Sequence, residues 1–258
     1  MYDLPSLRPA TDGWWSGIAG AAGRRGLDAV PSRLDRSEPV ERVWHAPDLL
    51  LSQCCGRDLV THLAGIVVPV AIPTYRAPGC ARGSYCSWLI VRDGDPRREL
   101  ADLTGATAAI NYVGSHSGWV ALAHSLAMAG LPERCLARGL LTGSHRASIE
   151  AVARGAADLA AIDCVSFALL AREEPELIAA IRILSASEPA PALPYVTSAG
   201  RPPAERRTLA AALDEAASID THDAHRAALL IDGFVPAAHA YERTAAMAET
   251  ALSSPCAE

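Results

Sequence analysis

The chain alternates short apolar runs with longer stretches of helical periodicity, joined by turns rich in Gly, Ser, Thr and Asp. That rhythm commits it to an α/β architecture with parallel sheets, because a crossover helix returns each strand to the sheet in the same direction. Expected strands are residues 48–52, 64–72 (ended by Pro73), 85–91, 106–110, 139–142, 159–162 and a short one at 195–197. Expected helices are 117–128, one from Ser144 to near Gly155, 165–172, 205–217, 223–228 and 237–252. Residues 185–203 carry five prolines, at 189, 191, 194, 202 and 203, and read as a crossover between two lobes. No internal repeat of fixed period is visible.

Length and composition limit the function classes. At 258 residues, half of them apolar and with a net charge of -6, the chain describes a packed protein rather than a disordered one. There is no basic stripe, which argues against nucleic acid. All 23 Lys-or-Arg positions are arginine, so chemistry through a lysine Schiff base, including that of pyridoxal phosphate, is excluded. The longest apolar run, residues 66–72, is far short of the roughly 20 residues of a membrane span. The start, Met1-Tyr2-Asp3-Leu4-Pro5, has neither the basic nor the apolar region of a signal peptide. The expectation is a cytoplasmic protein as written, and a periplasmic one if the true start lies upstream. The seven cysteines are odd in number, and Cys54 and Cys55 are adjacent, which suits no framework of structural disulfides. Cys80 and Cys86 would bridge only in an exported protein. Neither a Cys-x-x-Cys pair nor a His-Glu-x-x-His motif is present, so no metal and no cofactor are expected.

The most informative segment is Asn111-Tyr112-Val113-Gly114-Ser115-His116-Ser117-Gly118, between a strand and a helix. Such a turn aims unpaired backbone N–H groups and the positive helix end at one point, which is an anion site. Ser115 and Ser117 add hydroxyl donors, and Gly118 permits close approach to the backbone. The plainer reading is an ordinary serine N-cap. Thr142-Gly143-Ser144-His145 repeats the theme, placing His145 in a first helical turn, either as an anion donor or as a surface residue. Asp163 falls at the carboxyl end of an apolar strand, where open α/β sheets place ligands, or is the N-cap of the next helix. His222 and His225 read as a solvated face, and Cys164 as a buried small residue. Gly114 to Gly118 imitates the nucleophile elbow, but its central residue is His116 and not serine. A triad of Ser117, His145 and Asp163 can be drawn, though nothing in the sequence shows that the histidine reaches the serine.

Met1-Tyr2-Asp3-Leu4-Pro5, Leu50-Leu51-Ser52-Gln53, Pro73-Thr74-Tyr75, Ser115-His116-Ser117-Gly118, Gly143-Ser144-His145 and Ala161-Ile162-Asp163 occur in that order. Together they resemble the phosphate/phosphonate-type periplasmic solute-binding proteins of ABC transporters, over roughly residues 1–200. The resemblance implies a type II periplasmic-binding-protein fold. Two lobes, each a mostly parallel sheet flanked by helices, would be joined by hinge crossovers and close on the ligand. The division expected is residues 1–80 plus 190–258 for one lobe and 81–189 for the other. It also implies a ligand site of Tyr2, Gln53, Tyr75, Ser115, His116, Ser117, Gly118, His145 and Asp163. The serines would hold phosphonate or phosphate oxygens, and the tyrosines would pack on the ligand's apolar part. Two features depart from the family pattern. The chain starts inside the Met-Tyr-Asp motif, where the family has a signal sequence and a full first strand. His116 stands between the serines, where a smaller residue is usual.

The expectation is therefore a monomeric, non-catalytic module that captures a small anionic or zwitterionic ligand for the membrane subunits of an ABC transporter. Two alternatives stand beside it: an enzyme on the same fold acting on a small acid, and a cytoplasmic sensor that signals occupancy by lobe closure.

Overall fold

The computed structural model describes residues 2–132, 134–237, 240–242 and 244. Its strands are β1 (Ser52–Gln53), β2 (Val67–Tyr75), β3 (Ser84–Tyr85), β4 (Ser87–Arg92), β5 (Thr107–Ile110), β6 (Arg138–Leu141), β7 (Leu159–Asp163), β8 (Ile181–Ala186), β9 (Ala190–Pro191), β10 (Tyr195–Ser198) and β11 (Ile231–Val235). Its helices are α1 (Arg8–Arg24), α2 (Val40–His45), α3 (Gly56–Val60), α4 (Ala121–Met128), α5 (His145–Ala153), α6 (Cys164–Glu173), α7 (Pro175–Ala179), α8 (Pro203–Ser218) and α9 (Asp223–Ala228). The expected helix at 237–252 falls mostly outside the described residues, which include only 237, 240–242 and 244 of that span.

The chain divides into two compact units. The first comprises Met1–Arg76, Ala81–Gly83 and Pro191–Ala240; the second comprises Ala77–Cys80, Ser84–Ala190 and a segment from Tyr241. In the second unit the strand order is β6-β5-β7-β4-β8. β5 pairs parallel with both β6 and β7, because α4 and α5 carry the chain back across the sheet between them. β7 is buried at every position, as a strand covered on both faces must be. Leu89, Val91, Ile110, Val120, Leu122 and Leu159 form the centre of this unit's core. Burial of each such side chain contributes about 1.5–3 kcal/mol.

In the first unit the order is β1-β10-β2-β11, and every pairing is antiparallel. The expectation of mostly parallel sheets is met only in β6-β5-β7. The reason is topological: α8 and α9 do cross from β10 to β11, but the two strands land on opposite sides of β2, so each runs against it.

β2 does not stop at Pro73 but continues to Tyr75. It tolerates Pro69 and Pro73 because each half is paired on one side only. Val67–Ala71 face β10, and Ile72–Tyr75 face β11, so a missing N–H can fall on the open side. The strand expected at 48–52 shrinks to β1. The Leu49 carbonyl is taken by the Thr197 hydroxyl and the Ser198 N–H, which holds that stretch as a loop.

α1 is the largest element that sequence reading missed. Gly13, Gly17, Gly20 and Gly23 lower its propensity and blur its periodicity. α1 packs on α8 and α9, and two of these glycines make room for histidines. A Cβ on Gly13 would sit 2.3 Å from the His225 ring, and one on Gly17 would sit 2.8 Å from that of His222. The two histidines, expected on a solvated face, are instead half-buried against α1.

Candidate functional site

β5 ends at Ile110, and the chain turns through Asn111–Ser115 into a π-helical turn, His116–Val120, before α4 begins. Ser115 caps that turn, its Oγ accepting from the Gly118 N–H at 2.9 Å. The wide turn also brings the Trp119 and Val120 N–H groups onto the Ser115 carbonyl. Ser115, His116 and Ser117 are all buried. The His116 ring faces Tyr85 at a centroid distance of 6.4 Å.

The second expected turn joins this group. Ser144 caps α5 through the Ala147 N–H, which aims His145 from the first helical position. His145 Nε2 lies 2.8 Å from Ser117 Oγ, and Ser117 Oγ lies 3.4 Å from Ser115 Oγ. Desolvation lowers the His145 pKa to about 4, with the Ala161 carbonyl pulling weakly the other way. The ring is therefore neutral at neutral pH, with one donor nitrogen and one acceptor nitrogen.

Asp163 closes β7 and caps α6, with Oδ1 accepting from the Val165 and Ser166 N–H groups, both at 2.8 Å. Of its two readings, the capping one is seen directly. The serine and histidine of the drawn triad do meet. Asp163 Oδ1 is occupied by the cap.

Tyr2, Gln53 and Tyr75 gather in the first unit. The Tyr2 and Tyr75 rings meet edge to face at 5.4 Å, and Gln53 Nε2 donates to the Tyr75 hydroxyl at 3.4 Å and to the Leu193 carbonyl at 3.3 Å.

Asn111 is a residue that sequence reasoning underrated. A Cβ on Gly118 would lie 1.9 Å from its Oδ1, an oxygen that is buried and has no hydrogen bond among the described residues. Gly118 is thus required by the Asn111 amide, a different reason from ligand approach. The position of Asn111, directly after β5, was the available signal. A hollow of about 500 Å³ on the first unit, lined by Pro69, Ala210, Asp214 and Phe234 among others, contains none of these groups.

A family model described as "ABC transporter, phosphonate, periplasmic substrate-binding protein" matches residues 60–241. The chain belongs to this family. The family is one of periplasmic substrate-binding proteins of ABC transporters. Among the described residues no helix is long and apolar enough to cross a membrane. Solved structures share the periplasmic-binding-protein fold. XAC2383 from Xanthomonas citri bound to ATP is 19% identical, with a TM-score of 0.70 over 97% of this chain and 94% of that one. PhnD1 from Prochlorococcus marinus in complex with methylphosphonate is 16% identical, with a TM-score of 0.71 over 94% and 93%. A binding protein component of an ABC phosphonate transporter from Pseudomonas aeruginosa is 15% identical, with a TM-score of 0.71 over 90% and 77%. No curated protein matches the sequence.

Proposed function

We propose that this phosphonate-family binding protein captures a small anion of the phosphonate or phosphate type, or a zwitterion carrying such a group. Ser115, Ser117 and His145 hold the anionic head, and the protein passes it unchanged to the membrane subunits of an ABC transporter. The observation that carries this reading is the 2.8 Å contact between Ser117 Oγ and His145 Nε2 at the opening of a helix. The direction of this bond follows the ring tautomer: with the hydrogen on Nδ1, toward the Ala161 carbonyl, Ser117 Oγ–H donates to Nε2, and with it on Nε2 the serine accepts and its own hydrogen is left for an oxyanion. His116 and Gly118 complete the turn that holds those hydroxyls in place. Tyr2, Gln53 and Tyr75 are assigned to ligand binding on the family resemblance. Asp163 would accept from a donor on a zwitterionic ligand. The protein is proposed to act as a monomer.

Calorimetric titration with methylphosphonate, inorganic phosphate and ATP tests the reading. Methylphosphonate or phosphate should bind, and Ser117→Ala should weaken binding roughly ten- to a hundredfold. That is the worth of one hydrogen bond to a charged group, about 1.5–3 kcal/mol. His145→Ala should weaken it in the same direction. Phosphorus NMR should recover the ligand unaltered. No binding to any phosphorus oxyanion would sink the assignment, and a product signal would sink the non-catalytic part of it.

A further inference from the structure

Three cysteines that the ligand reading does not use meet in the second unit. The Cys80 and Cys164 sulfurs are 3.4 Å apart, and the Cys86 thiol hydrogen-bonds to that of Cys164. The backbone holds them there. Ala77 to Cys80 form a tight turn, with the Cys80 N–H on the Ala77 carbonyl at 3.0 Å. Pro78 and Gly79 occupy its central positions. The Gly79 φ of +88° is what a type II turn requires. A side chain on Gly79 would strike the Trp88 ring at 2.6 Å and Cys86 Sγ at 2.7 Å, so the turn lies flat on the other two cysteines. The Cys164 N–H donates to the Cys86 carbonyl at 3.0 Å, which ties the start of α6 to the residue preceding β4. Among the described residues no group of three His, Cys, Asp or Glu is placed to hold a metal ion.

We propose that Cys80 and Cys164 are a reversible disulfide-forming pair, a modification site distinct from the Cys80–Cys86 bridge that proximity in sequence suggests. Cys80 is half-buried, whereas Cys86 and Cys164 are buried, so an external oxidant meets Cys80 first. With oxidised glutathione, the Cys80 thiolate attacks one glutathione sulfur. The glutathione S–S bond breaks and one glutathione leaves as thiolate. Cys164, giving its proton to solvent, then attacks the Cys80 sulfur and expels the second glutathione. The two protein thiols lose two electrons, and glutathione disulfide gains both. The second step is internal, which is why the burial of Cys164 does not prevent it. The sulfurs must close from 3.4 Å to about 2.05 Å, a movement within reach of a surface turn. The periplasmic character of the family suits the bond, since disulfides persist in oxidising compartments. The pair does not depend on which ligand is bound.

Trypsin separates the three cysteines, since Arg76, Arg82, Arg92, Arg154 and Arg172 bound a peptide around each one. The full chain is incubated with oxidised glutathione, alkylated, digested and analysed by mass spectrometry without reduction. The expected result is peptide 77–82 joined to peptide 155–172, separated by dithiothreitol, retained in Cys86→Ser and absent in Cys80→Ser. A link between peptides 77–82 and 83–92, or no linked peptide in the folded wild-type protein, overturns the proposal.

Discussion

Gly118 and His145 show how narrowly single residues are fixed here. Gly118→Ala forces a methyl group to within 1.9 Å of Asn111 Oδ1. It should lower the melting temperature and weaken ligand binding together, whereas Asn111→Ala should relieve the clash in the double variant. His145 makes a signed prediction in acid. Its folded pKa, about 4, is below that of an unfolded histidine, about 6.5. The unfolded chain therefore binds more protons between those values. Stability should fall as pH drops from 6.5 to 4 and level off below, as far as this residue governs it. Comparing wild type with His145→Gln by thermal unfolding across that window isolates the slope, and identical slopes would refute the neutral-histidine picture. The residues themselves were legible: Ser115, Ser117 and His145 sit in two Gly-Ser turns at strand ends. Asn111's grip on Gly118 was not, because a side chain filling a glycine's empty side is invisible to spacing.

Among the elements, the caps and glycines of helices carry the next predictions. Asp163→Ala removes the acceptor of two N–H groups at the start of α6 and should cost about 0.5–2 kcal/mol in denaturant unfolding. Asp163→Asn should recover most of that loss, and an equal loss in both variants would show that the charge matters more than the cap. In α1, Gly17→Ala should destabilise the first unit despite alanine's better helix propensity, because the methyl meets His222. If it stabilises instead, the close packing of α1 on His222 described above is wrong. Most strands and α4 to α6 announced themselves through apolar runs and Ser or Asp caps. α1 was hidden by its glycines, and β11 by Gly233, whose φ of +155° accompanies a register shift. Pairing direction was legible only where a helix joins neighbouring strands. Elsewhere it depends on which strands meet, which periodicity does not encode.

At the scale of the molecule, ligand occupancy should stabilise the folded protein. Methylphosphonate at 100 times its dissociation constant should add about 2.7 kcal/mol, seen as a rise in melting temperature of several degrees. The same rise in Ser117→Ala at equal ligand concentration would detach the effect from the proposed site. The strand pairing of β2 has a further consequence, in time rather than in space. Both its partners, β10 and β11, lie more than a hundred residues downstream. A ribosome that has delivered β2 must still make β10 and β11 before the sheet of the first unit can close. Meanwhile β4 to β8 and their helices emerge as one unbroken stretch, rich in local contacts that form early. On the nascent chain the second unit should resist protease first, while the amino-terminal segment, α1 included, waits for β11 to leave the exit tunnel.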